Sequence, residues 1–238
     1  MTKSRQTENG YSLVELLVAT VLFTIIAGTI FSLLFGAQLR YSSESGVTTA
    51  FQQANVAIDQ ITRDIHSAGY PPPSSFAPGV ALNNPQLMAL PFSWSPGYPS
   101  TPCTVRASCG AVPGDYDLIL ETDTGDGSGV QWIRYSLQGT TLMRGMTPKK
   151  RFADPVTSTS LGVMLPYLDN VVNVANPPGN NPVPIFLYAY DCVKQAVPAQ
   201  PSNICKVNVA LIVQAAQPDP QTGQFRTITL TGQAASFN

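Results

Sequence analysis

Charge is scarce in this chain. Charged residues make up 11% of the 238 positions and nearly cancel, leaving a net charge of −1. Nucleic-acid binders ordinarily carry a clear basic excess, so that class gains no support. Histidine is scarcer still, with His66 the only one. A Ser-His-Asp triad would have to recruit that one residue from the end of a predicted helix, and a histidine-rich metal centre has no second ligand. No GxSxG, HExxH or phosphate-binding loop occurs. None of the four cysteines forms a CxxC, so a zinc site is poorly supported.

What is present is apolar, and rich in proline and glycine. Hydrophobic residues reach 44%, typical of a folded chain. The length suits one domain plus an extension. The 21 prolines and 18 glycines fall mostly after Gly69, which predicts a loop-rich β domain rather than a helical bundle.

From Leu16 to Leu39 there is no charged residue at all. A bilayer crossing needs ~20 consecutive apolar residues, whereas the apolar core of a cleaved secretory signal runs only about 7–15. The leader before it is polar and carries Lys3 and Arg5. Basic flanks stay cytoplasmic, so the rest of the chain faces outward. Outside, an even cysteine count favours disulfides. Cys103 and Cys109 are near in sequence, as are Cys192 and Cys205. Local pairing is preferred because each pair closes a short loop, although four cysteines allow three connectivities.

Glu15 is out of place, lying one turn inside the apolar segment. An acid at the centre of a bilayer costs about 2.5–3.5 kcal/mol on insertion scales, less near the interface, and marks a functional candidate whose partner must be sought. Cleavage after Gly10 would create an α-amino group on Tyr11, four residues before Glu15. In an assembly, the amine of one copy and the carboxylate of its neighbour would neutralise two charges that are costly when buried apart.

The stretch Gly10-Tyr11-Ser12-Leu13-Val14-Glu15-Leu16 resembles the class III signal of type IV prepilins and pseudopilins. The resemblance implies cleavage at Gly10–Tyr11 by a membrane aspartyl peptidase, N-methylation of Tyr11 by the same enzyme, and a register role for Glu15 in filament insertion. Phe is the usual first mature residue, and Tyr11 is a conservative departure. Ile61-Thr62-Arg63-Asp64-Ile65-His66-Ser67-Ala68-Gly69-Tyr70 resembles the helix end of W-type minor pilins and J-type pseudopilins, with an acid a few positions before Ala-Gly-Tyr.

The implied fold class is α+β and pilin-like, with a long N-terminal helix packed on an antiparallel β-sheet head. The expected divisions are a leader at 1–10, a transmembrane and filament-core helix at 11–39, its amphipathic continuation at 40–69, and a β-rich head at 70–238. The implied partners are other minor and major pilins, the prepilin peptidase, an inner-membrane assembly platform and the inner membrane. The chain is then a processed subunit rather than an enzyme. It crosses the inner membrane once with its head in the periplasm, and later reaches the pilus and cell surface. A type II secretion pseudopilin is the nearest rival, and a membrane-anchored calcium- or ligand-binding module is a rival of another class.

Val47, Phe51, Ala54, Ile58, Ile61 and Ile65 predict one apolar helix stripe, ending near Ala68-Gly69-Tyr70-Pro71. Unbroken from Tyr11 to Ala68 the helix would span about 90 Å at ~1.5 Å per residue, and if it bends, Ser42–Gly46 is the place. Pro71–Pro113 reads as a surface-lying loop stapled by Cys103–Cys109. Strands are expected at Asp117–Thr122, Val130–Leu137, Thr141–Arg144, Ile185–Tyr190, Lys206–Gln214 and Phe225–Thr231, with Leu165–Val174 either strand or short helix. The first two strands flank a glycine-rich loop bearing Asp123 and Asp126. These two carboxylates are weak calcium candidates, since such a site needs about six to eight oxygens; no other cofactor is indicated. Lys149-Lys150-Arg151 is the only basic cluster and reads as a solvated loop, with DNA or anionic lipid a weak alternative.

Overall fold

A computed structural model describes residues 12–93, 114–151, 153–159, 162–175, 179, 181–190 and 201–236. The first element, α1, is one helix from Leu13 to Ser67. At ~1.5 Å per residue it extends about 80 Å. Of the two alternatives for Ser42–Gly46, the unbroken one holds: the helix runs through it without interruption. Tertiary contact explains this, since Ser43 is buried and the Ser42 hydroxyl donates to Gln217 Oε1 at 2.8 Å. Thr48 and Thr49 donate to the carbonyls of Glu44 and Ser45 four residues back. The helix ends as anticipated: Ala68 is extended and Gly69 takes φ 91°, a conformation glycine adopts freely.

Two antiparallel sheets follow. The first contains β1 (Asp117–Asp123), β2 (Val130–Gln138), β3 (Thr141–Pro148) and β4 (Met164–Leu168), in that spatial order. The second orders β5 (Phe186–Ala189), β6 (Lys206–Pro218) and β7 (Phe225–Ala234). Each expected strand is found, with β3 and β6 running four residues beyond their anticipated ends. The uncertain Leu165–Val174 stretch opens as β4 and then stitches the sheets together. Val171 bridges to Val213, and buried Asn173 donates to the carbonyls of Val183 and Ala210 while accepting from Ile212.

The outer edge of β1 is covered rather than bare. Gly69 and Ser93 donate to the carbonyls of Glu121 and Ile119, and Asp123 donates to Tyr70. Covering removes an aggregation-prone edge. The residues just after the helix and the proline-rich stretch together supply that cover. The described part of the proline-rich stretch holds α2 (Pro78–Asn83) between two 3-10 turns, and it buries Met88, Ala89 and Phe92. It is therefore partly core, not only surface; its remainder and Cys103 and Cys109 lie outside the described residues.

The C-terminal half of α1 lies across β6 and β7 and also touches β1 and β4. Ala54, Ile58, Ile61 and Ile65 are buried there as the periodicity predicts, together with Ala50 and Ala57. Val207, Val209, Leu211 and Val213 of β6 meet them from the sheet. Phe51 is a correction, being 44% exposed; Ala50 and Ser43 occupy the contact face instead. Small residues let the helix close on the sheet, and Gly232 shows how tightly. A Cβ there would lie 2.7 Å from Ile58 Cγ2.

Candidate functional site

The N-terminal end of α1 is held by its own side chains. Ser12 is extended and caps the helix, its Oγ accepting from the Val14 N–H at 3.4 Å. Glu15 Oε2 reaches back and accepts from the Ser12 N–H at 3.3 Å. This is a capping box, in which two otherwise unpaired donors are satisfied reciprocally. Charge placement singled out Glu15 in the sequence, but the Ser12-x-x-Glu15 spacing was also a readable signal. Both side chains are exposed. Glu15 is thus tied to its own chain while remaining open to a competing cationic donor. Gly10 and Tyr11 lie outside the described residues.

From Leu16 to Leu39 the helix buries no residue. Among the described residues, α1 is long and apolar enough to cross a membrane, and none of its most apolar window is buried. Leu16, Phe23, Phe31, Leu33 and Phe35 project into open space. A helix apolar on every side requires an apolar surround or other helices. The hydroxyls of the three threonines in this run are satisfied internally. Thr20, Thr24 and Thr29 donate to the carbonyls of Leu17, Val21 and Ile26 at 2.8–2.9 Å. Internal satisfaction of polar groups is what a hydrocarbon environment demands.

At the far end, buried ions lock the helix to the head. Asp64 Oδ2 accepts from Tyr135 Oη at 2.6 Å and from the Arg144 guanidinium at 2.9 Å, while Oδ1 accepts from Gln60 at 2.7 Å. Arg144 also donates to Tyr135 Oη at 2.8 Å. Burial, then the Asp64 charge, pushes the Tyr135 hydroxyl far above its usual pKa, so it remains a donor. The acid preceding Ala-Gly-Tyr therefore joins helix to sheet.

A second buried pair corrects the reading of the basic cluster. Lys149 is not solvated. Its ammonium pairs with Glu121 and donates to the Met88 carbonyl at 3.0 Å. The other Glu121 oxygen accepts from Trp132 Nε1 at 2.9 Å. Only Lys150 and Arg151 of the cluster are exposed.

The remaining candidates stay local. Asp123 Oδ1 accepts from the Gly125 N–H at 2.8 Å, and Asp126 Oδ1 accepts from the Ser128 N–H at 2.9 Å. Hydrogen bonds from Ser128, side chain first, hold the Asp126 carboxyl below its ordinary pKa. Both acids brace their own glycine-rich turn, and among the described residues no three His, Cys, Asp or Glu side chains gather as a metal cluster. His66 is exposed in the last turn of α1. Cys205 is disulfide-bonded, while Cys192 lies outside the described residues.

Residues 5–31 match the family model for the prokaryotic N-terminal methylation motif. No curated protein and no solved structure matches the chain. The matched stretch spans Glu15 and most of the exposed apolar helix, and the element order behind it, one long helix and then antiparallel sheets, is the pilin-like α+β layout. The match is to the N-terminal motif alone, and it agrees with the resemblance of this N-terminus to those of type IV pilins and pseudopilins.

Proposed function

We propose that the chain is a minor subunit of a type IV pilus that primes or caps filament assembly, in support of adhesion, twitching motility or DNA uptake. The peptidase cuts Gly10–Tyr11 and methylates Tyr11. The helix is then held once across the inner membrane, with the head in the periplasm, until the subunit enters the filament and reaches the cell surface. The observation that carries this reading is the charge-free helix exposed on every side and continuous with a folded head. Such a surface is costly in water and is covered either by lipid or by like helices. The role is structural rather than catalytic. A pseudopilin of a type II secretion system shares this anatomy, and the motif is common to both.

Glu15 sets the register. In the isolated chain its carboxylate rests on the Ser12 N–H at 3.3 Å, a long, exposed contact. In a filament, the Tyr11 amine of a neighbour replaces that contact with a pairing of two full charges, which neutralises both where water is excluded. The test is a pair of variants in the native host. Gly10→Ala leaves the precursor unshifted on a gel. Glu15→Ala is cleaved normally but is depleted from sheared filaments. Normal incorporation of Glu15→Ala would remove the register role.

A further inference from the structure

We infer that the tip joining β6 to β7 is a membrane foot: it seats the head in the lipid headgroup layer through Phe225 and Gln221, beside Arg40 and Tyr41 of the helix. This rests on reading residues 16–39 as membrane-spanning. Heights along α1 follow from the sequence. The charge-free run ends at Leu39, and Arg40 is the first charge after Glu15. That run covers ~36 Å against a hydrocarbon core of ~30 Å, so Arg40 emerges among the headgroups. Because α1 is unbroken, whatever packs beside residues 40–44 sits at that same height.

The β6–β7 tip packs there. Ser42 Oγ donates to Gln217 Oε1 at 2.8 Å. A cleft between helix and tip is lined by Arg40, Ser43 and Glu44 on one side and by Asp219, Gln221 and Arg226 on the other. The tip is preformed. Asp219 Oδ1 accepts from the Gln221 N–H at 2.8 Å, Oδ2 pairs with Arg226, and the Gly223 N–H returns to the Asp219 carbonyl at 2.7 Å. Two aromatic rings flank it without cover, Tyr41 at 76% and Phe225 at 48% exposure. Aromatic rings concentrate at the membrane–water interface, and arginine stems lie along apolar surface with the charge kept wet. Arg40 and Arg226 are balanced by Glu44 and Asp219, so the foot is neutral. Its attraction to lipid comes from the rings rather than from net charge, and the surface fits the interface of any bilayer. Seated this way, the head has a fixed depth and tilt before the subunit leaves the membrane.

The test places single tryptophans in the full chain, reconstituted in phosphatidylethanolamine–phosphatidylglycerol vesicles with acyl chains brominated near the headgroup. Emission is read as the difference from the unsubstituted protein. Phe225→Trp and Gln221→Trp report the foot, Phe31→Trp the span, and Tyr70→Trp the far end of the helix. The foot requires that bromine quench the first three reporters and spare Tyr70→Trp. Quenching of Phe31→Trp with both tip reporters unaffected overturns the foot and leaves the anchor standing. No quenching at any position overturns the anchor as well.

Discussion

Asp64 ties the helix to the head, and Glu121 ties the proline-rich cover to the first sheet through Leu90, Trp132 and Lys149; neither role was legible from pattern. Asp64 attracted notice only as the acid preceding Ala-Gly-Tyr. Its partner Arg144 is 80 residues away, and pairing across that distance leaves no periodic trace. Lys149 misled for the same reason: three adjacent cations read as a wet loop, while the fold buries the first of them against Glu121. Glu15 was legible because its neighbours are uniformly apolar, which makes one charge conspicuous. Removing one partner of a buried pair strands the other, at a cost of about 3–5 kcal/mol. Arg144 keeps some solvent, so Asp64→Ala is expected to cost about 3 kcal/mol, the lower end of that range. Thermal melting of the head should show this as a fall of roughly 6–12 °C. An unchanged melting temperature would show that the pair contributes nothing net.

Among the elements, the long helix and the strands were readable because their periods are simple. The alternation Val207, Val209, Leu211, Val213 is buried throughout. The helix stripe was right for its isoleucines and wrong for Phe51, because apolar periodicity takes no account of how near the sheet lies. Close approach favours Ala50, Ala54 and Ala57 on the contact face and leaves a large ring outside. Gly232 is where that closeness is sharpest. Gly232→Ala presses on Ile58 and should destabilise the head by about 1–3 kcal/mol, as overpacking does. Ile58→Ala, added to it, should then cost less than it costs alone, a coupling visible in a denaturant double-mutant cycle. Simple additivity would contradict the contact. The β6–β7 tip carries a pH dependence of definite sign. Backbone donation from Gln221, then Arg226, lowers the Asp219 pKa in the folded state. Its contribution is therefore complete above the unfolded carboxylate value of ~3.9 and fades as pH falls through the lower folded value. NMR titration of the Asp219 carboxyl should give a midpoint below the ordinary one, and Asp219→Asn should remove that part of the acid sensitivity.

At the scale of the whole molecule, one helix serves two environments. Its buried residues begin at Ser43, and none of the described residues before that is buried. The head therefore has no need of the apolar half. A chain lacking residues 1–39 should melt at the same temperature as the full protein and lose its membrane association, checked by calorimetry and by flotation with vesicles. A large drop in melting temperature would mean that the apolar half contributes to the fold. This division was legible from composition alone: a long charge-free run has few destinations, and the proline- and glycine-rich remainder has strands spaced as a β head requires. What composition could not convey was the seating of the head on the helix, which rests on the contacts of Asp64, Gly232 and the tip at Asp219. The claim beneath all of this is that a cut ahead of Glu15 frees an amine for a neighbouring copy to use. Mass spectrometry of the N-terminal peptide from membrane-extracted protein tests it most directly. The account predicts a peptide that begins at Tyr11 and carries one added methyl group; a peptide that begins at Met1, or beyond Leu39, would contradict it.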